Sequence, residues 1–310
     1  MTDQDARHPF GGVYASTICP MIADGGIDET SLARHLASVV ETDGMAGLLV
    51  NGHAGENAVL DEDEHLAVVR IARDVSGRRR VVAGINAERT DVAARMAESA
   101  ARAGADAVMV FAPFSWALGA DPRLVVAHHR AIAQAAGLPL FLFQGSVNAG
   151  RTAFTPDVLA RLLEIESVVG IKEGSWETAA YDATRRLVAR LRPDVGVMAS
   201  GDEHLFACFA IGSDGSLVSL AVVVPDAIVA LDRAMLAGDL ATGRRIHERL
   251  YELARLVYGA PGHLATLRLK TCLVLMGRLA TPAVRSPLAR LSDDEVAQLR
   301  RALIAVEVMG

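Results

Sequence analysis

Eight short apolar runs recur along the chain at a spacing of roughly thirty residues, the length of one strand–helix unit. Within each run the apolar residues follow one another instead of alternating with polar ones. Such continuous runs are typical of strands that are buried on both faces of a parallel sheet. We therefore predict strands at GGVYASTI (11–18), AGLLVNG (46–52), RVVAGI (80–85), DAVMVFAP (106–113), LPLFLFQ (138–144), VVGIKE (168–173), VGVMASG (195–201) and GSLVSLAV (215–222).

The segments between these runs have the hydrophobic period of helices. After the first run, Leu32, Leu36 and Val39 fall on one helical face. Asp28 is placed to cap the start of that helix, because its carboxylate can accept a free backbone amide. Thr155–Pro156 predicts another helix start, a capping residue followed by proline at the first helical position.

Strand and helix patterns alternate over about 240 residues, the size and repeat number of a (β/α)8 barrel, although a doubly wound sheet alternates in the same way. Residues 239–310 carry helical patterns only, for example ERLYELARLVYG and DDEVAQLRRALIAV. We predict an α/β fold with a (β/α)8 TIM barrel over residues 1–238 and a small all-helical C-terminal domain over residues 239–310.

Lys172 ends the sixth predicted strand, and only two of the 31 basic residues, Lys172 and Lys270, are lysines. A lysine amine can lose its proton and attack a carbonyl, which an arginine cannot do. In a barrel, this strand end lies at the C-terminal face, where barrel enzymes place their chemistry. If Lys172 points inward, Ile171 and Glu173 point outward, and burial lowers the pKa of the amine. The alternative is a lysine that closes a strand and reaches solvent.

The stretch GLLVNGHAGENAVLDEDEH provides a second candidate element of a site. Gly52 and Gly55 flank a short turn after the second strand, where exposed backbone amides can bind a carboxylate. By itself this pattern also fits a plain tight loop. Lys172 and this turn together have the parts to bind a 2-oxo acid. The lysine amine is suited to the ketone, and the backbone amides are suited to the carboxylate.

Six segments occur in the order and spacing of one known family: GHAGENAVLDEDE, AGADAVMVFAPFS, GLPLFLFQ, VVGIKEG, MASGDE and GSDGSLVSLAVVVP. On these residues the chain resembles the dihydrodipicolinate synthase and N-acetylneuraminate lyase family over essentially its whole length. The resemblance implies a (β/α)8 barrel with C-terminal helices, and a homo-oligomer, tetramer or dimer. It also implies that the matching Lys172 forms a Schiff base with a 2-oxo acid such as pyruvate.

The chain departs from the family pattern at several site positions. The family loop G-T-T-G-E is replaced by Gly52–Glu56, which reads GHAGE, and Pro-Tyr-Tyr is replaced by Pro113–Ser115. The catalytic tyrosine of strand five aligns with Phe143, and the arginine of dihydrodipicolinate synthases falls near Asn148. A phenyl ring keeps the shape of tyrosine but cannot transfer a proton. Another group must therefore transfer the protons for the chemistry at Lys172.

His53 is the residue that we expect to move protons, since an imidazole ordinarily titrates near neutrality. Alternatively, it fills the space of the missing tyrosine or only hydrogen-bonds the substrate. Ser115 is a weaker proton-transfer candidate. The residues expected to contact substrate are Gly52, Ala54, Ser115, Phe143, Gln144 and Leu217.

The resulting hypothesis is a Schiff-base lyase whose most favoured reaction is retro-aldol cleavage of a 2-oxo sugar acid to pyruvate and an aldehyde. Dehydration or deamination of a related 2-oxo acid through the same iminium is the nearest alternative. The condensation of dihydrodipicolinate synthases is less favoured, because Phe143 and Asn148 replace the tyrosine and arginine. A ligand-binding descendant without turnover is an alternative of a different class.

Composition narrows the partners and the compartment. The chain is 51% hydrophobic and 22% charged with a net charge of -6, which disfavours nucleic acid and anionic membranes as partners. Three widely spaced cysteines and an N-terminus without a signal-peptide pattern favour a cytoplasmic protein. No cofactor or metal is expected: adjacent His128–His129 point in different directions, and Asp202–Glu203 lack further carboxylates at the neighbouring strand end.

Overall fold

A computed structural model describes residues 8–148, 150–288 and 290–309. Residues 1–7 lie outside these described residues. They make up most of the N-terminal stretch from which we predict that there is no signal peptide. Eight parallel strands in the described residues close into a barrel in sequence order, with β8 pairing back to β1. Their bounds are β1 (Gly12–Ser16), β2 (Met45–Val50), β3 (Arg80–Ile85), β4 (Ala107–Val110), β5 (Leu140–Gln144), β6 (Val168–Glu173), β7 (Gly196–Ala199) and β8 (Gly215–Val218).

Helices follow the strands and form the outer layer. They are α1 (Glu29–Val40), α2 (Glu62–Ser76), α3 (Thr90–Arg102), α4 (Pro122–Ala136), α5 (Pro156–Leu162), α6 (Thr178–Leu191), α7 (Leu205–Ile211) and α8 (Pro225–Leu236). The C-terminal part adds α9 (Leu240–Tyr258), α10 (Ala265–Leu275) and α11 (Asp293–Ala305). The predicted (β/α)8 barrel with C-terminal helices is therefore confirmed, and the doubly wound alternative is wrong.

The predicted helix starts have the expected local chemistry. The Asp28 carboxylate accepts the Ser31 amide at 3.0 Å, and the Thr155 hydroxyl accepts the Val158 amide at 3.4 Å before Pro156. Each bond satisfies one of the amides that a helix leaves unpaired at its first turn. Both helix starts could be predicted from the sequence, because each contact joins residues only three positions apart.

The apolar core has two layers, because strand residues alternate between the barrel interior and the helix layer. The interior holds large side chains such as Tyr14, Phe111 and Phe141. On β6, Gly170 faces this interior, where any larger side chain would overlap the Phe141 ring. The glycine in VVGIKEG thus leaves room for the packed floor beneath Lys172.

Two ion pairs tie the C-terminal part to the barrel. Lys270 of α10 is fully buried, forms an ion pair with Glu56 in the loop after β2, and donates to the Ala283 carbonyl at 2.7 Å. Arg285 pairs with Glu64 near the start of α2. Helix α9 also packs on α7 and α8 of the barrel. The division into a barrel domain (residues 1–238) and a helical domain (residues 239–310) therefore stays a prediction. Among the described residues, no helix is long and apolar enough to cross a membrane.

Candidate active site

Lys172 points into the barrel at the end of β6. It pairs in register with Phe143 on β5 and Met198 on β7. Its amine donates to the Ser16 hydroxyl on β1 at 3.2 Å, and the residue is only 8% exposed. The neighbouring residues face the other way, as predicted: Ile171 packs in the outer core, and the Glu173 carboxylate accepts the Thr184 hydroxyl of α6 at 3.2 Å.

The environment of Lys172 increases the neutral fraction of its amine. Burial lowers its pKa to about 8, while the charge of Asp202 partly opposes the shift. At neutral pH roughly a tenth of the amine is then unprotonated, far more than for an exposed lysine. A neutral amine is the form that attacks a ketone.

An aromatic wall covers one side of the amine, on the loops after β2 and β4 and on β5. The His53 ring lies 4.6 Å from Phe111, 5.3 Å from Phe143 and 6.3 Å from Phe114, measured between centroids. The Lys172 amine is 5.7 Å from the Phe143 centroid. These phenyl rings give the wall an apolar surface, but they provide no proton.

His53 lies in a short 3-10 helix (His53–Gly55) at the barrel mouth. Crowding by protein atoms removes part of its hydration, and together with the charge of Lys172 this lowers its pKa to about 4. Water reaching its exposed face moderates the shift, but the direction keeps the imidazole neutral at pH 7. The role of His53 in proton transfer stays a prediction, and the aromatic wall around it is a feature that the sequence did not reveal.

The Gly52–Ala54 segment has the geometry of a tight turn. The buried Gly52 carbonyl accepts the Gly55 amide at 3.0 Å, and Ala54 is half-buried against the outer core. As the first residues of a 3-10 helix, His53 and Ala54 have amides without an acceptor in that helix. Their predicted contact with the substrate carboxylate stays a prediction.

Three other predicted contact residues lie in different surroundings. Ser115 is exposed, and its hydroxyl donates to the Glu88 carboxylate at 2.6 Å. The Gln144 amide is buried and bonds the Phe154 backbone at 3.1 and 3.2 Å, so it orders the loop after β5 and is not brought to Lys172. Leu217 is fully buried in the barrel interior. Their substrate contacts stay predictions.

A polar group that the sequence did not single out as catalytic lies across the mouth from the aromatic wall. Asp202, in the loop after β7, is 8% exposed and accepts the Leu220 amide at 2.6 Å. The Tyr258 hydroxyl lies 2.7 Å from the Ser219 hydroxyl just after β8. Burial raises the pKa of Asp202 to about 6, and the influence of Tyr258 and the charge of Lys172 lower it in part.

Tyr258 had no sequence signal, because it ends α9 and reaches the site only through tertiary packing. Trp176, after β6, lies 5.4 Å from its ring between centroids and holds a left-handed backbone at φ 60°. Asp202 was visible only as part of MASGDE, where we weighed it as a metal ligand. Among the described residues, no group of three or more His, Cys, Asp or Glu side chains is placed to hold a metal ion.

The fold and the site define a class, the (β/α)8-barrel enzymes with a buried lysine at the C-terminal mouth. The sequence model of the Dihydrodipicolinate synthetase family matches residues 9–306. A 4-hydroxy-tetrahydrodipicolinate synthase from Methanothrix thermoacetophila is 32% identical over 294 residues, covering 95% of this chain and 96% of that protein.

Solved structures are similar over the same length. Dihydrodipicolinate synthase from Aquifex aeolicus superposes with a TM-score of 0.86 at 26% identity, covering 96% of this chain and 99% of that chain. The chloride-inhibited enzyme from Acinetobacter baumannii, complexed with pyruvate, gives 0.85 at 26% identity, covering 97% and 100%. The chain belongs to the dihydrodipicolinate synthetase family. The predicted class, a Schiff-base-forming lyase of this family, is confirmed, whereas the homo-oligomer and the cytoplasmic location stay predictions.

Proposed function

We propose that Lys172 forms the Schiff base with a 2-oxo acid, and that the favoured reaction is retro-aldol cleavage of a 2-oxo sugar acid to pyruvate and an aldehyde. The observation that carries this proposal is the Lys172 amine, buried at the barrel mouth beside the Ser16 hydroxyl with a pKa lowered to about 8. Attack of this amine on the ketone and loss of water give an iminium, which withdraws electrons from the neighbouring carbon.

The surroundings of Lys172 support a polar substrate with an acid end and a hydroxylated end. The amides of His53 and Ala54 are suited to the carboxylate, and a neutral His53 adds a hydrogen bond without a charge. On the opposite side, Asp202 and Ser219 provide oxygen atoms for hydroxyl groups. The aromatic wall then excludes water from the iminium.

The relatives are named 4-hydroxy-tetrahydrodipicolinate synthases. We do not carry that reaction over as the leading proposal. Phe143 stands where the family has its tyrosine, and Asn148 stands near the position of its arginine. The first replacement removes a hydroxyl and the second removes a positive charge on the side of β5, while Asp202 and Ser219 lie after β7 and β8.

A panel of 2-oxo sugar acids of four to nine carbons tests this proposal, with pyruvate release measured by a coupled assay. At least one substrate is expected to give pyruvate and an aldehyde in equal amounts. Lys172→Arg keeps the charge but removes the nucleophile, and it should lower the rate at least a thousandfold. Absence of pyruvate from every substrate would contradict cleavage.

Dehydration of a 2-oxo acid is the second candidate, favoured by Asp202. A buried carboxyl whose pKa is raised to about 6 holds a proton more readily than an exposed one and can protonate a leaving hydroxyl. The same panel separates the reactions, because dehydration gives a 2-oxo acid with all its carbons and no pyruvate. Turnover of neither kind, with binding retained, would favour the ligand-binding descendant.

A further inference from the structure

The Ser16 hydroxyl, at the end of β1, lies in direct contact with the reacting amine. Its oxygen is 3.2 Å from the Lys172 nitrogen, and among the described residues this is the one hydrogen bond of the amine. The lysine donates in this bond, so the proton of the hydroxyl is left for another acceptor. A ketone that binds to the amine therefore comes within reach of this proton.

The position of Ser16 follows from the alternation of β1 and from the backbone beyond it. Tyr14 faces the barrel interior and Ala15 packs in the outer core, so Ser16 points inward. The next residue, Thr17, donates to the Leu49 carbonyl of β2 through its amide at 2.9 Å and its hydroxyl at 3.3 Å. These bonds fix the end of β1, and a single side-chain torsion then places the serine oxygen. The hydroxyl is thus held at the amine.

The other hydroxyls near the mouth have different partners. The Ser115 hydroxyl donates to the Glu88 carboxylate at 2.6 Å, and the Ser219 hydroxyl lies 2.7 Å from that of Tyr258. The Phe143 ring, whose centroid is 5.7 Å from the Lys172 amine, has no hydroxyl. Ser16 is therefore the hydroxyl that the structure brings to the reacting nitrogen.

We propose that Ser16 is a catalytic residue whose hydroxyl relays a proton between the Lys172 nitrogen and the ketone oxygen of the bound 2-oxo acid. It acts when the Schiff base forms and again, in reverse, when the Schiff base is hydrolysed. The relay rests on the proposed function, because it acts on the Lys172 adduct. It gives β1 a proton-transfer role that Phe143 on β5 cannot have.

The protons balance in both steps of Schiff-base formation. Attack of the neutral amine forms the nitrogen–carbon bond and leaves a positive nitrogen and a negative oxygen. The nitrogen gives a proton to the Ser16 oxygen while the Ser16 hydroxyl gives its own proton to the substrate oxygen, and a neutral carbinolamine results. The same exchange, repeated as the carbon–oxygen bond breaks, releases water and leaves a neutral imine. The imine then takes a proton from solvent and becomes the iminium.

The geometry favours this relay over direct transfer. The reacting nitrogen and oxygen are bonded to the same carbon, so a proton that passed directly between them would need a small, strained ring. A hydroxyl that bridges the two atoms opens this ring and relieves the strain. A serine hydroxyl alone is a poor acid and a poor base, but in the relay it gains one proton as it loses another and never carries a full charge.

The rate of adduct formation with pyruvate, measured across pH, tests the relay. Borohydride quenches at short times give this rate, which rises as the amine loses its proton and reaches a plateau at high pH. Ser16→Ala removes only the hydroxyl and should lower the plateau by about a hundredfold, with little change in the pH midpoint. A hydroxyl that only adjusted the ionisation of Lys172 would move the midpoint and leave the plateau. A plateau of Ser16→Ala equal to that of the wild type would overturn the relay.

Ser216→Ala is the matched control, the same substitution on the neighbouring strand β8. The Ser216 hydroxyl is buried without a hydrogen-bond partner in the described part of the chain. Because Leu217 faces the barrel interior, Ser216 faces the helix layer and not the amine. Its rate should equal that of the wild type at every pH, and a loss as large as that of Ser16→Ala would overturn the relay.

Ser16→Thr and Ser16→Val provide a second comparison in case Ser16→Ala is unstable. The two introduced side chains have nearly the same size, and only threonine has a hydroxyl. Ser16→Thr should keep a plateau about tenfold or more above that of Ser16→Val. Equal plateaus of the two variants would overturn the relay.

The same measurements separate failure of the relay from failure of the proposed function. If the wild type forms no adduct with pyruvate or with any 2-oxo acid of the panel, the proposed function fails, and the relay fails with it. If the wild type forms the adduct and Ser16→Ala has the same plateau, only the relay fails. At long times Ser16→Ala should reach the wild-type amount of adduct, because a relay changes the rate alone. A lower final amount would instead show that Ser16 stabilises the adduct, and would overturn the relay.

Discussion

At the scale of single residues, two opposing effects set the ionisation of Lys172. Loss of solvation lowers the pKa of the amine, and the Asp202 carboxylate raises it again in part, with a result of about 8. An arginine in the same place would stay charged and could not attack a ketone. The charge of Asp202 therefore affects the ionisation of Lys172.

Asp202→Asn should lower the pKa of Lys172 below about 8, because it removes the opposing negative charge. The amine becomes reactive as pH rises through its pKa, so the pH midpoint of adduct formation with pyruvate should move to lower pH. The rate of borohydride trapping measured across pH 5–10 gives this midpoint. A midpoint that moves upward, or does not move, would contradict the interaction.

At the scale of elements, a buried ion pair joins the C-terminal helices to the loop that carries His53. Lys270 of α10 is fully buried against Glu56, and the Thr266 hydroxyl of the same helix donates to the His53 carbonyl at 3.4 Å. The two lysines of the chain thus have separate roles. Lys172 faces the barrel mouth, and Lys270 holds the loop after β2.

Lys270→Met should destabilise the protein by about 3–5 kcal/mol, because it leaves the Glu56 carboxyl buried without its partner. The urea midpoint of unfolding measures the loss. The double variant Lys270→Met with Glu56→Gln removes both charges and should recover part of the stability. Equal stability of the single variant and the wild type would show that the pair contributes nothing.

Local patterns explain which elements could be predicted from the sequence. The β6 strand was visible because VVGIKE is a continuous apolar run, and the inward direction of Lys172 follows from strand alternation with Ile171 and Glu173. Asp28 and Thr155 cap their helices through bonds to residues three positions away. Each of these features depends on neighbours in the chain.

Features created by tertiary packing could not be predicted. The contacts of His53 with Phe111, Phe114 and Phe143 join residues that come from different strands and loops. Tyr258 reaches Ser219 because α9 packs on α7 and α8. The engagement of Gln144 with Phe154 likewise depends on the shape of the loop after β5.

At the scale of the whole molecule, the barrel mouth has two chemically different sides. The loops after β2 and β4, with β5, present aromatic rings, and the loops after β7 and β8 with α9 present Asp202, Ser219 and Tyr258. Lys172 on β6 lies between them. A barrel suits this arrangement, because each strand end can be changed while the fold is retained.

The central claim is that Lys172 forms a covalent iminium with a 2-oxo acid. Reduction with borohydride in the presence of pyruvate, followed by peptide mass analysis, tests it most directly, because the chain has only two lysines. We expect the added mass of reduced pyruvate on the peptide that contains Lys172 and none on the peptide that contains Lys270, with no adduct in Lys172→Arg. An unmodified Lys172 after reduction with pyruvate and with each member of the 2-oxo acid panel would contradict the account.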